Sequence, residues 1–282
     1  MPRAPRKMRL TEAHVARMAL LVVPESEPPA PPAPFVAASD EDIAGFVRGI
    51  IVGADDPSQI WVFAYGSLIW KPACAFVEIR TGTVRGWHRS FCLGWNNRFR
   101  GSDENPGLML ALDRGGACKG ALYRLPPGQE AENVELLCRR EMGYKPSPFP
   151  PRWVTVMTEQ GPVRAFTFCI DRNAGRYVSG LSEAQVADVL AKAVGGRGSM
   201  VEYLFNTVDH LERMGIHDPH LGGCRRWWPR KWTPRSESKK SRAGHFARRV
   251  ASRERPGPGS SSGNKAGGWT GPKMAQSRSC QA

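Results

Sequence analysis

Trp61-Val62-Phe63-Ala64-Tyr65-Gly66-Ser67-Leu68-Ile69-Trp70 is the stretch on which the fold turns. Its apolar start reads as a core strand, although a turn of buried helix satisfies the same short pattern. The strand breaks at Tyr65-Gly66-Ser67-Leu68. Gly66 has no Cβ, so the backbone there can bend and approach another group closely. Ser67 adds a hydroxyl and an N–H. A chain that ends a strand in this way presents donors to a small polar ligand, and this loop is expected to hold the substrate.

The charge of the chain lies elsewhere. Residues 224–282 hold 15 Lys and Arg against 2 Asp and Glu, which accounts for almost all of the net charge of +14. The first 223 residues are nearly neutral, so basic character says nothing about the ligand of the core. In that tail Trp227, Trp228, Trp232 and Trp269 sit among Arg, Pro, Ser and Gly. Such composition buries too little apolar surface to offset chain entropy. Disorder is expected there, and the abrupt change of character reads as an out-of-frame or foreign extension. No run of 18 apolar residues occurs, so no membrane span is expected. The seven cysteines show no metal or disulfide spacing. They read as small reduced core residues of a cytoplasmic protein, and none is assigned as a nucleophile.

Three parts follow from the pattern: an N-terminal extension over 1–38, a folded domain over 39–223, and the tail. In the extension, Leu10 to Val23 reads as a short helix capped by Thr11, and Pro24 to Pro34 as an extended linker. Residues 1–38 as a whole make a poor packed layer. Ser39-Asp40-Glu41-Asp42 opens a helix through Ile51. Val77 to Leu93 alternates like a strand. Leu108–Leu112 and Ala117–Leu125, separated by Asp113-Arg114-Gly115-Gly116, read as a β-hairpin. A helix is expected over 130–142, stopped by Gly143, and a proline-rich loop over 145–151. Trp153–Met157 and Val163–Ile170 read as strands, and Ser182–Val194 and Ser199–Met214 as helices. Gly195-Gly196-Arg197-Gly198 lacks the context of a phosphate loop and reads as a turn between the last two helices. Strands and helices mix without βα alternation, which gives the class α+β.

Several blocks in this order resemble the ChaC family of γ-glutamylcyclotransferases. The opening stretch with Lys71-Pro72 is the first. Gly82 to Leu93, Asn105 to Leu112, Gly115 to Leu125, Arg139-Arg140-Glu141-Met142 and Glu202 to Val208 complete the set, within residues 10–222. The resemblance implies a compact, mostly antiparallel, barrel-like sheet flanked by helices. It also implies an activity, the cleavage of glutathione to 5-oxoproline and Cys-Gly, with no metal or organic cofactor. By the resemblance, Glu141 at a helix end is the general base and acid. The residues alone leave open a solvated helix-end charge paired with Arg139 or Arg140. The negative end of the helix dipole disfavours a carboxylate nearby, so the Glu141 pKa is expected to rise.

Val62, Phe63, Ala64, Tyr65, Gly66, Ser67 and Leu68 would bind the γ-glutamyl part, and Tyr144 would line the pocket. Arg89, Arg98 and Arg100 are candidates for the glycine carboxylate, since a guanidinium grips a carboxylate through two bonds; surface charge is the competing reading. His88 reads as a structural hydrogen-bonding residue. The chain departs from the family at Ala64, where Gly is usual. It departs again in the proline-heavy segment Gly143 to Pro151, and after Leu221, where a further amphipathic helix is usual. Two other functions stay open: a member that binds a γ-glutamyl ligand without turnover, and a tail that binds nucleic acid non-specifically through Arg and Trp.

Overall fold

The computed structural model describes residues 10–24, 34–97 and 99–223. The expected basic tail, most of the proline linker and the candidate Arg98 lie outside the described residues. Those that are described fall in one compact unit. In chain order the elements are helix α1 (Glu12–Ala19), strand β1 (Val36–Ala37), helix α2 (Asp40–Val52), strand β2 (Trp61–Ala64) and a 3-10 turn, Ser67–Ile69. Strands β3 (Glu78–Asn96) and β4 (Gly107–Arg124) follow, then helix α3 (Glu130–Glu141) and strands β5 (Tyr144–Lys145), β6 (Pro151–Thr158) and β7 (Gly161–Phe168). Helix α4 (Glu183–Lys192), strands β8 (Val194–Gly195) and β9 (Gly198–Ser199) and helix α5 (Met200–Arg213) complete the set.

Five strands close a barrel in the order β2-β4-β3-β6-β7. All pairings are antiparallel except the closing one, where β2 runs parallel to β7 with Val62 beside Phe166. Helices pack outside, which gives the α+β barrel that the resemblance implies. The closure explains the continuous apolar run of β2. Trp61, Phe63 and Tyr65 join Val84, Leu122 and Val156 in a cluster built from barrel residues, while Val62 and Ala64 join a second cluster with residues of the helices. With both faces covered, alternation is lost from the sequence.

The expected hairpin at Asp113–Gly116 is a correction. β4 runs unbroken through these residues and pairs with β3 on both sides of them, from Trp87↔Arg114 to Arg85↔Ala117. Gly115 and Gly116 have φ of 100° and 67°, opposite Gly86 at 81°. They form an irregularity that bends two long strands rather than a reversal. The true reversal falls between Asn96 at the end of β3 and its partner Gly107 at the start of β4.

Helix starts follow their side chains. Ser39 caps α2 by accepting the Asp42 N–H at 3.1 Å, and the Asp42 carboxylate returns a bond to the Ser39 N–H at 3.1 Å. Ser182 and Gln185 repeat this pairing at α4, and Ser199 caps α5 through the Glu202 N–H. Part of the extension is packed after all. Thr11 is the N-cap of α1, and Leu10 and Met18 are buried in the same cluster as α5. The glycine-rich stretch before α5 is a small ladder of β8 and β9. Among the described residues, no helix is long and apolar enough to cross a membrane.

Candidate active site

The loop after β2 is held by three groups from distant parts of the chain. The Arg89 side chain is 1% exposed. Its Nε donates to the Tyr65 carbonyl at 2.5 Å, one Nη donates to the Lys119 carbonyl at 2.8 Å, and the other pairs with Asp218. The Tyr123 hydroxyl donates to the Leu68 carbonyl at 3.3 Å. Trp70 Nε1 donates to Thr207 Oγ1 at 3.0 Å, and Thr207 donates to the Tyr203 carbonyl, which ties the loop to α5. A Cβ at Gly66 would lie 3.1 Å from the Tyr203 hydroxyl, so glycine admits that tyrosine against the backbone. The bonds internal to the turn begin with the Ile69 N–H to the Gly66 carbonyl at 3.0 Å. The N–H groups of Ser67 and Leu68 come before them, as the first amides of any helical turn do.

Glu141 is the last residue of α3, and its side chain is 17% exposed. Burial pushes its carboxyl above the ordinary value, and the Arg140 guanidinium opposes that shift. The expected direction holds, with burial as the dominant cause. Two phenols share this environment. Burial first, and the Glu141 charge second, push the Tyr65 phenol well up and the Tyr203 phenol to about 12. Both phenols therefore stay protonated at neutral pH and can donate hydrogen bonds.

Arg140 joins the two halves. Its Nε lies 3.1 Å from Glu141 Oε1, one Nη donates to Ser67 Oγ at 3.0 Å, and the other donates to the Lys71 carbonyl. α3 is fastened to the same segment once more, where Asn133 Oδ1 accepts the Ala75 N–H at 2.7 Å. So the pairing of Glu141 with Arg140, expected for a solvated charge, is present, but the carboxyl is mostly buried and near enough to the Tyr65 and Tyr203 phenols for its charge to act on both.

Of the residues singled out in the sequence, Tyr65 to Leu68 and Glu141 are brought together. Val62, Phe63 and Ala64 are fully buried wall and reach a ligand only through the loop that they position. Tyr144 lies in β5, paired with Ala37 of β1. Arg89 is a correction to the surface-charge reading: its side chain is buried, and each of its three nitrogens has a protein partner, in the Tyr65 carbonyl, the Lys119 carbonyl and Asp218. Arg100 is likewise engaged by Glu202 and the Ser199 carbonyl, both at 2.8 Å. His88 bonds the Gly115 carbonyl at the strand irregularity, as a structural residue would. Cys92, Cys118, Cys138 and Cys169 are buried, and burial holds their thiols at about 11 to 12, unsuited to nucleophilic attack. The proline-heavy segment is pinned at both ends. The Gly143 carbonyl accepts the Ala38 N–H, and the Pro148 and Pro150 carbonyls accept the N–H groups of Asp171 and Cys169. Sequence reading missed Tyr203 and Arg140 as site residues, although both stand in blocks that carry the resemblance. A cavity of about 290 Å³ shares Arg89 with this loop, but its walls are Phe91, Leu110, Tyr177, Glu183 and their neighbours, not Glu141 or Ser67.

A barrel closed in this way, with a helix-end carboxyl against a strand-end loop, has the fold class of the γ-glutamylcyclotransferases. The yeast crystal structure titled as a γ-glutamyl cyclotransferase specific to glutathione matches with a TM-score of 0.57 at 20% identity, over 64% of this chain and all of that one. The model of the ChaC-like protein family matches residues 60–225, and the chain belongs to that family. It is 36% identical over 184 residues to the glutathione-specific γ-glutamylcyclotransferase of Escherichia coli, covering 65% of this chain and 78% of the relative. It is 30% identical over 206 residues to the human glutathione-specific γ-glutamylcyclotransferase 1, covering 70% and 89%.

Proposed function

We propose that this chain cleaves glutathione to 5-oxoproline and Cys-Gly, as a cytoplasmic enzyme, with Glu141 as general base and then general acid. The observation that carries the reading is the mostly buried Glu141 carboxyl, near the Tyr65 phenol and joined through Arg140 to Ser67 of the loop, in a chain whose relatives bear that activity in their names. The reaction is an internal acyl transfer. The γ-glutamyl ammonium gives a proton to Glu141, and the freed α-amine forms a bond to the carbon of its own γ-carbonyl. The bond from that carbon to the cysteine nitrogen breaks as the leaving amine takes the proton back from Glu141; the carboxylate so restored then takes the second proton of the ring nitrogen, which leaves the neutral lactam, and passes it to the departing Cys-Gly amine.

Each step asks something of the site. A carboxyl raised by burial is a better base than an exposed one, and nearer in pKa to the amines that it serves. The N–H groups of Ser67 and Leu68 would hold the oxyanion or the α-carboxylate. Holding amine and carbonyl within reach of each other supplies much of the rest, on the order of 7–11 kcal/mol in well-oriented systems. Purified protein incubated with glutathione is expected to release 5-oxoproline and Cys-Gly in equal amounts. Glu141→Gln is expected to lose about 10²–10⁴-fold in rate while remaining folded by circular dichroism. Full activity in that variant would rule out this role for Glu141.

A further inference from the structure

We infer that Arg140 is a positioning residue that ties the Glu141 carboxylate to the loop Ser67–Lys71, so that the proton-transfer group and the ligand-holding backbone stay in fixed register. The inference rests on the reaction just proposed and adds to it a residue with two separable duties.

The geometry is that of a three-way tie. The guanidinium meets the Glu141 carboxylate, the Ser67 hydroxyl and the Lys71 carbonyl with three different nitrogens. Ser67 and Arg140 are 73 positions apart in the chain, so the contact joins two elements that nothing local would align. Consecutive residues on a helix do not ordinarily face one another. Arg140 and Glu141 do so because both sit in the last turn of α3 and both bend toward the same loop. A planar fork spreads its donors over three nitrogens in fixed directions, whereas an ammonium carries its three rotatable donors on a single atom and does not span the same groups in the same geometry.

The second duty is charge. The groups facing Glu141 come from three elements: Arg140 beside it, Tyr65 after β2 and Tyr203 on α5. Arg100 lies over the Tyr203 ring at 5.6 Å, already paired with Glu202, and Cys74 lies near Arg140 with a thiol that burial raises to about 11. The phenols and the thiol are neutral at working pH. Arg140 is therefore the charged group that opposes the rise that burial causes in the Glu141 carboxyl.

Charge and fork can be removed one at a time in the full chain. Arg140→Lys keeps the charge and loses the fork. Its rate of 5-oxoproline release is expected to fall about 10-fold or more, as a small misplacement does, with the acidic limb of the kcat/KM profile where the wild type has it. Arg140→Gln loses the charge, and its acidic limb is expected to move to higher pH. Arg140→Ala combines both effects, with a loss near 100-fold, and added guanidinium restores part of its rate but none of that of Glu141→Gln. If Arg140→Ala does not fold, the Lys and Gln variants carry the test.

The tie is also read without turnover, by carbon NMR of labelled glutamate. The Glu141 carboxyl signal, assigned by its loss in Glu141→Gln, is expected to titrate at higher pH in Arg140→Gln. That shift in a protein that leaves glutathione intact would support the tie and sink the assigned reaction. Normal turnover with an unmoved limb and unmoved titration in the Arg140 variants would overturn the tie and leave the reaction standing.

Discussion

At the scale of single residues, the site sets stability against chemistry. A carboxyl whose folded pKa is raised stabilises the fold most below its unfolded pKa, and that stability is lost as pH rises through the folded value. Burial raises Glu141, so the wild type bears this loss at neutral pH and Glu141→Gln does not. The melting temperature of Glu141→Gln is therefore expected to gain on that of the wild type as pH rises from acid to neutral, while activity is lost. A gap that widens in the opposite direction would show that Arg140, rather than burial, governs the carboxyl. Gly66 supplies a second test. A Cβ there would press on the Tyr203 hydroxyl, and overpacking of this kind costs about 1–3 kcal/mol. Gly66→Ala is expected to lose stability and turnover. Combined with Tyr203→Phe, it should lose less stability than the two single changes add up to, because the crowded atom is gone. Glu141 and the loop were legible through the blocks of resemblance. Arg89 was misread because a formal charge does not reveal that its side chain is buried, and Arg140 was missed because its partners are far away in sequence.

At the scale of elements, α3 and the strand irregularity matter most. Val134, Leu137 and Cys138 are fully buried on one face of α3, and that spacing was readable as a helix. The fastening of α3 to residues 71–75 was not, since it runs through side chains whose targets lie in a loop. The misread hairpin has a plain cause. A glycine pair with positive φ serves a reversal and a bulge equally well, and only the pairing partner decides between them. Here β3 is long enough to pair with both halves of β4. Gly120, further along β4, shows how closely strands approach. A Cβ there would fall 2.4 Å from the Ala64 carbonyl and 2.7 Å from the Phe63 ring. Neither can step aside inside a closed barrel. Gly120→Ala is expected to destabilise by about 1–3 kcal/mol or more, read by denaturant midpoint, and to lower turnover by displacing the strand that leads into the loop.

At the scale of the whole molecule, the barrel and its helices were legible as a class, while the extent of the packed unit was read too narrowly at its start. Leu10 and Met18 join the core because α1 is short and amphipathic, and a proline-rich stretch after it hid that from a reading by composition. At the other end, Asp218 is the counter-charge of the buried Arg89. Asp218→Ala would leave that guanidinium unpaired in the interior, at a loss of about 3–5 kcal/mol, seen as a drop in melting temperature together with slower turnover. A chain ending at Gly223 keeps Asp218 and the buried Leu221. It is expected to melt and to turn over glutathione as the full chain does, and a large loss in it would mean that the folded domain extends further.

The dependence of the loop on late partners also has a consequence in time. Ser67 emerges early in synthesis, but Arg140, Tyr203 and Asp218 emerge later, the last about 150 residues further on. At about 5–20 residues per second, the ribosome needs on the order of 10 s to deliver them all. Throughout that interval the nascent chain holds the loop without its full set of anchors. A growing chain is therefore expected to leave glutathione untouched until almost the whole domain is out, and activity should switch on late rather than rise in proportion to length.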